Sequence, residues 1–240
     1  MKATERHHLK ENELSQVLSA ATARFSQDRR SVGLAIGVVV LVLAAAGGYW
    51  GWKTRAENRA QTLLGDAIVV LQSPVVEPKQ GVKPDTGSYT TVQARTEAAL
   101  VKLTEVFNQY PSTKAGISAR YYAAAALAML GRPAEALTRY QEVVDRAGND
   151  NFYGRMAQLG VVEASAEAKQ YDRAISAAQA MVSRVGDESI PRDALLMQLG
   201  RVQVAAGKKV EAKQTLDKVI AEFPESAYLE EAKQLLALVT

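Results

Sequence analysis

Glu163 and Glu167 stand four residues apart in LGVVEASAEA. On a helix that spacing puts two carboxylates on one face, where they could hold a cation or serve as a solvated edge. No further ligand accompanies them in the sequence. His7 and His8 are the only histidines, and neighbouring residues do not face one way on a helix, so the pair makes a poor metal site. The chain has no Cys. From Lys53 onward it therefore lacks His-based proton transfer, cysteine nucleophiles and the usual zinc ligand sets. The glycines of AAAGGYWG are followed by no GKS or GKT, so no phosphate loop is present. The residues point to no catalysis and to no cofactor.

The elements that must position these residues begin with an uncharged run, Ser31 to Trp52. Its 22 residues reach about 33 Å as a helix, enough for a hydrocarbon layer of roughly 30 Å. Arg29, Arg30, Lys53 and Arg55 flank it, and Tyr49, Trp50 and Trp52 sit where aromatic rings settle at a membrane interface. Ala44 to Ala46 would suit a signal peptidase, but the 30 polar residues ahead of the run are too many for a signal peptide, which favours an uncleaved anchor. Near the span the cations tie: Arg24, Arg29 and Arg30 before, Lys53, Arg55 and Arg59 after. Lys2, Arg6 and Lys10 tip the balance toward a cytoplasmic N-terminus.

Residues 1–30 form a tail in which Leu14, Val17, Leu18, Ala21 and Phe25 mark a short amphipathic helix for a membrane surface or a partner, or a solvated stretch. Residues 53–240 carry 23 Lys and Arg against 22 Asp and Glu, no footprint for nucleic acid. Ala56, Ala60, Leu63, Leu64, Ala67, Ile68 and Leu71 fall on one helical face after the anchor. The prolines and glycines of residues 73–88 then make a loop.

Beyond Tyr89 the sequence repeats. Helical segments end at the breakers Pro111, Gly148, Gly186 and Pro224, at intervals of 37, 38 and 38 residues. Twelve residues ahead stand Ala99, Ala136, Ala174 and Ala212; eight ahead, Leu103, Tyr140, Ala178 and Leu216; five ahead, Val106, Val143, Met181 and Val219. Alanine permits close backbone approach and the larger residue a turn later fills the groove beside it, so each unit is an antiparallel helix pair buried by stacking. This pattern resembles the tetratricopeptide repeat, on Gly131, Ala136 and Tyr140, on Tyr171 and Ala174, and on Gly207, Ala212 and Pro224. The units are longer than the ideal 34 residues, none has its tryptophan, and Lys169 stands where glycine is usual. Residues 226–239 read as a capping helix. The expected fold is all-α: one N-terminal transmembrane helix, then a tetratricopeptide-like solenoid. If the first helix of each pair lines the concave side, as the resemblance implies, Tyr121, Met129, Leu159, Glu163, Glu167, Met197, Arg201 and Val204 face inward, either to bind protein or simply to pack.

Short tail, anchor ending GGYWGWKTRAENRA and helical repeats together resemble the YfgM-like ancillary subunits of the SecYEG translocon. That resemblance implies a single-pass protein of the bacterial inner membrane with its repeats in the periplasm. Its implied partners are the SecYEG-type translocon and periplasmic chaperones or unfolded secretory chains, with membrane lipid around the anchor. Two other readings stay open. One is an envelope organiser similar to Tol-associated repeat proteins, on the segment EFPESAYLEEA; the other is a self-associating structural subunit.

Overall fold

The computed structural model describes residues 29–76, 87–148, 151–184 and 190–240. The amphipathic stripe of the tail, His7 and His8, the breaker Gly186 and residues 77–86 of the proline-rich loop lie outside the described residues. Among the described residues the fold is all-helical: α1 (Arg29–Gln72), α2 (Val92–Gln109), α3 (Lys114–Met129), α4 (Pro133–Ala147), α5 (Phe152–Glu167), α6 (Tyr171–Val182), α7 (Arg192–Ala205), α8 (Lys209–Glu222) and α9 (Leu229–Val239). The chain divides into two units, Met1–Arg55 and Ala56–Thr240, so the boundary falls within α1.

In the first unit the helix is apolar all round. Leu34, Ile36, Val38 to Leu43, Trp50 and Trp52 are exposed, and no part of its most apolar stretch is buried. A helix with this pattern and length is long and apolar enough to cross a membrane.

In the second unit α1 becomes amphipathic, and its inward residues join the repeats. Ala60 and Ala67 are fully buried with Leu103, Val106 and Phe107 of α2 and Ala115, Ala119 and Ala123 of α3. Glu57 adds a polar tie: the Lys114 and Ala115 N–H groups donate to its carboxylate at 2.8 and 3.0 Å. Gly116 N–H donates to the Thr113 hydroxyl at 2.9 Å, so the first three amides of α3, which no helix satisfies internally, all find acceptors. The two sides of the proline-rich segment meet in an isolated parallel bridge between Val75 and Tyr89, with Val76 N–H donating to the Tyr89 carbonyl at 2.8 Å.

Three further cores follow in chain order. Ala136, Leu137, Tyr140 and Val143 of α4 bury against α3 and α5; Ala174, Ile175, Ala178 and Met181 of α6 against α5 and α7; Leu216 and Val219 of α8 against α7 and α9. All twelve positions of the alanine phase are buried. Each helix packs on its sequence neighbours, and the next-neighbour packing is of α3 on α5 and of α7 on α9. Those are the first helices of successive units, which places α3, α5 and α7 on the tighter, concave side and α4, α6 and α8 outside. A partly buried ionic tie fastens three helices where units meet: the buried Arg120 of α3 pairs with Glu142 of α4, Arg139 also reaches Glu142 at 2.9 Å, and both guanidiniums lie over the Phe107 ring of α2, at 4.6 and 5.3 Å.

Within each pair the turn is a Schellman cap. Gly131 N–H donates to the Ala128 carbonyl and Arg132 N–H to Leu127, and the same bonds recur at Lys169 and Gln170 and at Gly207 and Lys208. The cap requires a left-handed residue, supplied by Gly131 at φ 70°, Gly207 at φ 71° and Lys169 at φ 60°. A side chain in that region meets its own carbonyl, so the lysine turn is strained. Lys169→Gly is therefore expected to stabilise the repeat unit by about 1 kcal/mol, read as a higher unfolding midpoint in denaturant.

Candidate protein-binding surface

The concave helices α3 and α5 bring an aromatic cluster together. The Tyr121 ring lies 5.6 Å from Tyr122, 5.8 Å from Tyr140 and 5.4 Å from Tyr153; Tyr153 in turn meets Tyr122 at 6.0 Å and Phe152 at 5.4 Å, mostly edge to face. Gly160 makes room for it, since a Cβ there would stand 2.5 Å from the Tyr140 ring. A hydrogen bond with Tyr153, aided by burial, pushes the Tyr122 phenol up to about 12. Tyr121 is raised chiefly by burial, then by the charge of Glu163 and by Tyr153. Burial also raises Tyr140, assisted by Tyr121, Glu163 and Glu167. Phe152 leaves most of its ring in solvent, 60 % exposed.

The expected inward residues divide into three groups. Tyr121, Glu163, Glu167 and Arg201 act on one another electrostatically across α3, α5 and α7. Leu159 and Val204 are half-buried and pack against the two C-terminal cores. Met129 is exposed at the C-terminal end of α3. Met197 is a correction: it is fully buried with Leu216, Val219 and Ala232 and presents nothing to a partner. The reason is α9, which covers the last helix pair and packs on α7.

The same terminal helix occupies Arg201. Its guanidinium donates to both Glu231 oxygens, at 2.7 and 2.6 Å, and lies 5.5 Å over the Tyr228 ring. Ser226 donates to Asp193 at 2.6 Å and accepts from the Tyr228 N–H at 3.1 Å. α9 starts at Leu229, three residues later than the sequence pattern suggests, because Ser226 to Tyr228 form this turn. Glu163 remains exposed, yet crowding on the inner face strips part of its hydration. That desolvation, with the Glu167 charge, raises its pKa against the opposing Arg201.

Sequence reasoning did not find Tyr122, Phe152 and Tyr153, nor the hold of Glu231 on Arg201. The only signal was the doubled aromatics, Tyr121–Tyr122 and Phe152–Tyr153. On the outer side, a cleft of about 220 Å³ opens between α4, α5 and α6, lined by Val144, Val161, Ala177 and Met181 with Gln141 and Arg184. Among the described residues no group of three or more acidic, histidine or cysteine side chains is placed to hold a metal ion.

Tetratricopeptide-repeat family profiles match residues 118–150 and 165–239. Among solved structures, the chain is similar to a kinesin-light-chain-like protein of Podosopora anserina with nearly identical TPR-like repeats, at 17 % identity, TM-score 0.54, over 76 % of this chain and 86 % of that one. A single-substitution variant of the same protein agrees as well, over 85 % of its length. No curated protein matches the chain. The second unit is thus a tetratricopeptide-like helical repeat, a fold that serves generally as a non-enzymatic scaffold for protein–protein interaction.

The raised pKa of Glu163 sets a pH dependence. The folded chain holds that proton more tightly than the unfolded one, so ionised Glu163 costs stability above its folded pKa, and the cost vanishes as pH falls below the unfolded value of 4.5. Glu163→Gln should raise the thermal midpoint at neutral pH, with the gain shrinking toward about pH 4.

Proposed function

We propose that this chain is a membrane-anchored scaffold that holds polypeptide partners on the inner face of its repeats, as an accessory of a SecYEG-type translocon that hands emerging secretory chains to periplasmic chaperones. The observation that carries the binding role is the inner face of α3 and α5, where Tyr121, Tyr122, Tyr153 and the exposed Phe152 ring form one aromatic cluster and the charge of Glu163 acts on Tyr121. Aromatic rings at the rim of water offer large contact area at small entropic cost.

The apolar part of α1 supports the anchor, and the excess of Lys and Arg in the tail supports a cytoplasmic N-terminus with periplasmic repeats. The translocon assignment rests on the shared layout of tail, anchor and repeats. The competing likeness through EFPESAYLEEA carries less weight, because proteins of that kind are usually secreted without an uncleaved anchor, whereas this chain carries the apolar helix of α1.

Native isolation of the full-length chain in mild detergent, with identification of co-purifying proteins, tests the assignment. The expected result is recovery of the secretion channel or periplasmic chaperones. Recovery of cytoplasmic proteins alone, or only of further copies of the chain, contradicts it.

A further inference from the structure

We propose that the inner surface between α3 and α5 selects polypeptide segments that carry a lysine or arginine, with the cation at Glu163 and Glu167 and its aliphatic stem along the Tyr121 ring. This rests on the protein-binding role above and adds the chemistry of the partner.

Three observations carry it. First, Glu163 and Glu167 stand exposed one turn apart on α5, which packs on α3, and their charges act on the Tyr140 hydroxyl, that of Glu163 also on Tyr121. Secondly, the one base that acts on Glu163 is Arg201, and its guanidinium is already held by both oxygens of Glu231 and by the Tyr228 ring. The attraction of Arg201 for Glu163 is thus shared with Glu231. Thirdly, the helix that carries the acids lies against ring surface: a Cβ at Gly160, one turn before Glu163, would stand 2.5 Å from the Tyr140 ring, Tyr121 is half-buried among three other tyrosines, and Phe152 extends the aromatic surface into solvent.

A lysine or arginine meets both demands at once. Its methylene stem covers an aromatic face, its charge is attracted by the ring quadrupole, and its head neutralises two carboxylates one helical turn apart. A neutral segment gains only the ring contact, and an acidic one adds like charge to Glu163 and Glu167, so the surface discriminates by charge as well as by area.

Fluorescence anisotropy on the full chain in nonionic detergent tests this. The probes are three fluorescein-labelled peptides of about 12 residues in which Leu and Ser alternate with Arg, Gln or Glu. The Arg peptide should bind about tenfold more tightly than the Gln peptide, and added salt should narrow that gap. The double variant Glu163→Gln, Glu167→Gln should lower affinity for the Arg peptide about tenfold and leave the Gln peptide unchanged, with helix content by circular dichroism as the folding control. Equal binding of Arg and Gln peptides, or no effect of the double variant, overturns the charge selection; if Tyr121→Leu still weakens binding, the inner face survives as a binding surface. Failure of all three peptides to bind the folded chain overturns both.

Discussion

Ala99, Ala136, Ala174 and Ala212 lie fully buried where the second helix of each pair meets its neighbours, and the close backbone approach they permit is the constraint on which the remaining packing depends. Glycines impose the same condition from the facing helices. A Cβ at Gly200 would come within 2.8 Å of Leu216, and one at Gly116 or Gly154 would stand 1.9 Å from the carbonyl oxygen of Tyr110 or Gly148. Helices this close can bury only their immediate neighbours, so the second unit has four small cores in series rather than one large one. Each end of such a series needs a cover. The amphipathic part of α1 provides it at one end and α9 at the other.

The periodic features were legible in the sequence because they are local rules used repeatedly, four times for the alanine phase and three for the turns. The alanine phase, the glycine turns and the odd lysine at position 169 recur at fixed steps, and the structure buries or bends them as a helical repeat requires. Features that break the period were not legible. Tyr121 has Leu159 as its counterpart 38 residues on, while Phe152 and Tyr153 open their helix at another position altogether. Only the packing of α3 on α5 brings these rings together. Met197 failed in the opposite way: repeat logic places it on the open face, but in the final unit α9 occupies that side.

Binding chemistry follows from the same geometry. Because α3 packs on α5, their inward side chains adjoin, and acids from α5 act on tyrosines from α3 and α4. Towards the C-terminus the surface changes character, since Arg201, which would balance those acids, is turned to the task of holding α9.

Site-specific photo-crosslinking in membranes containing the full-length chain tests the central claim, that partners are held by the inner helices. A photo-reactive amino acid would replace Met129, exposed on α3, and in separate chains Val101, exposed on α2, the second helix of its pair, or Val210, exposed on the outer helix α8. The account predicts adducts to other polypeptides from position 129 and none from positions 101 and 210. Adducts only from the outer positions, or equally from all three, would contradict it.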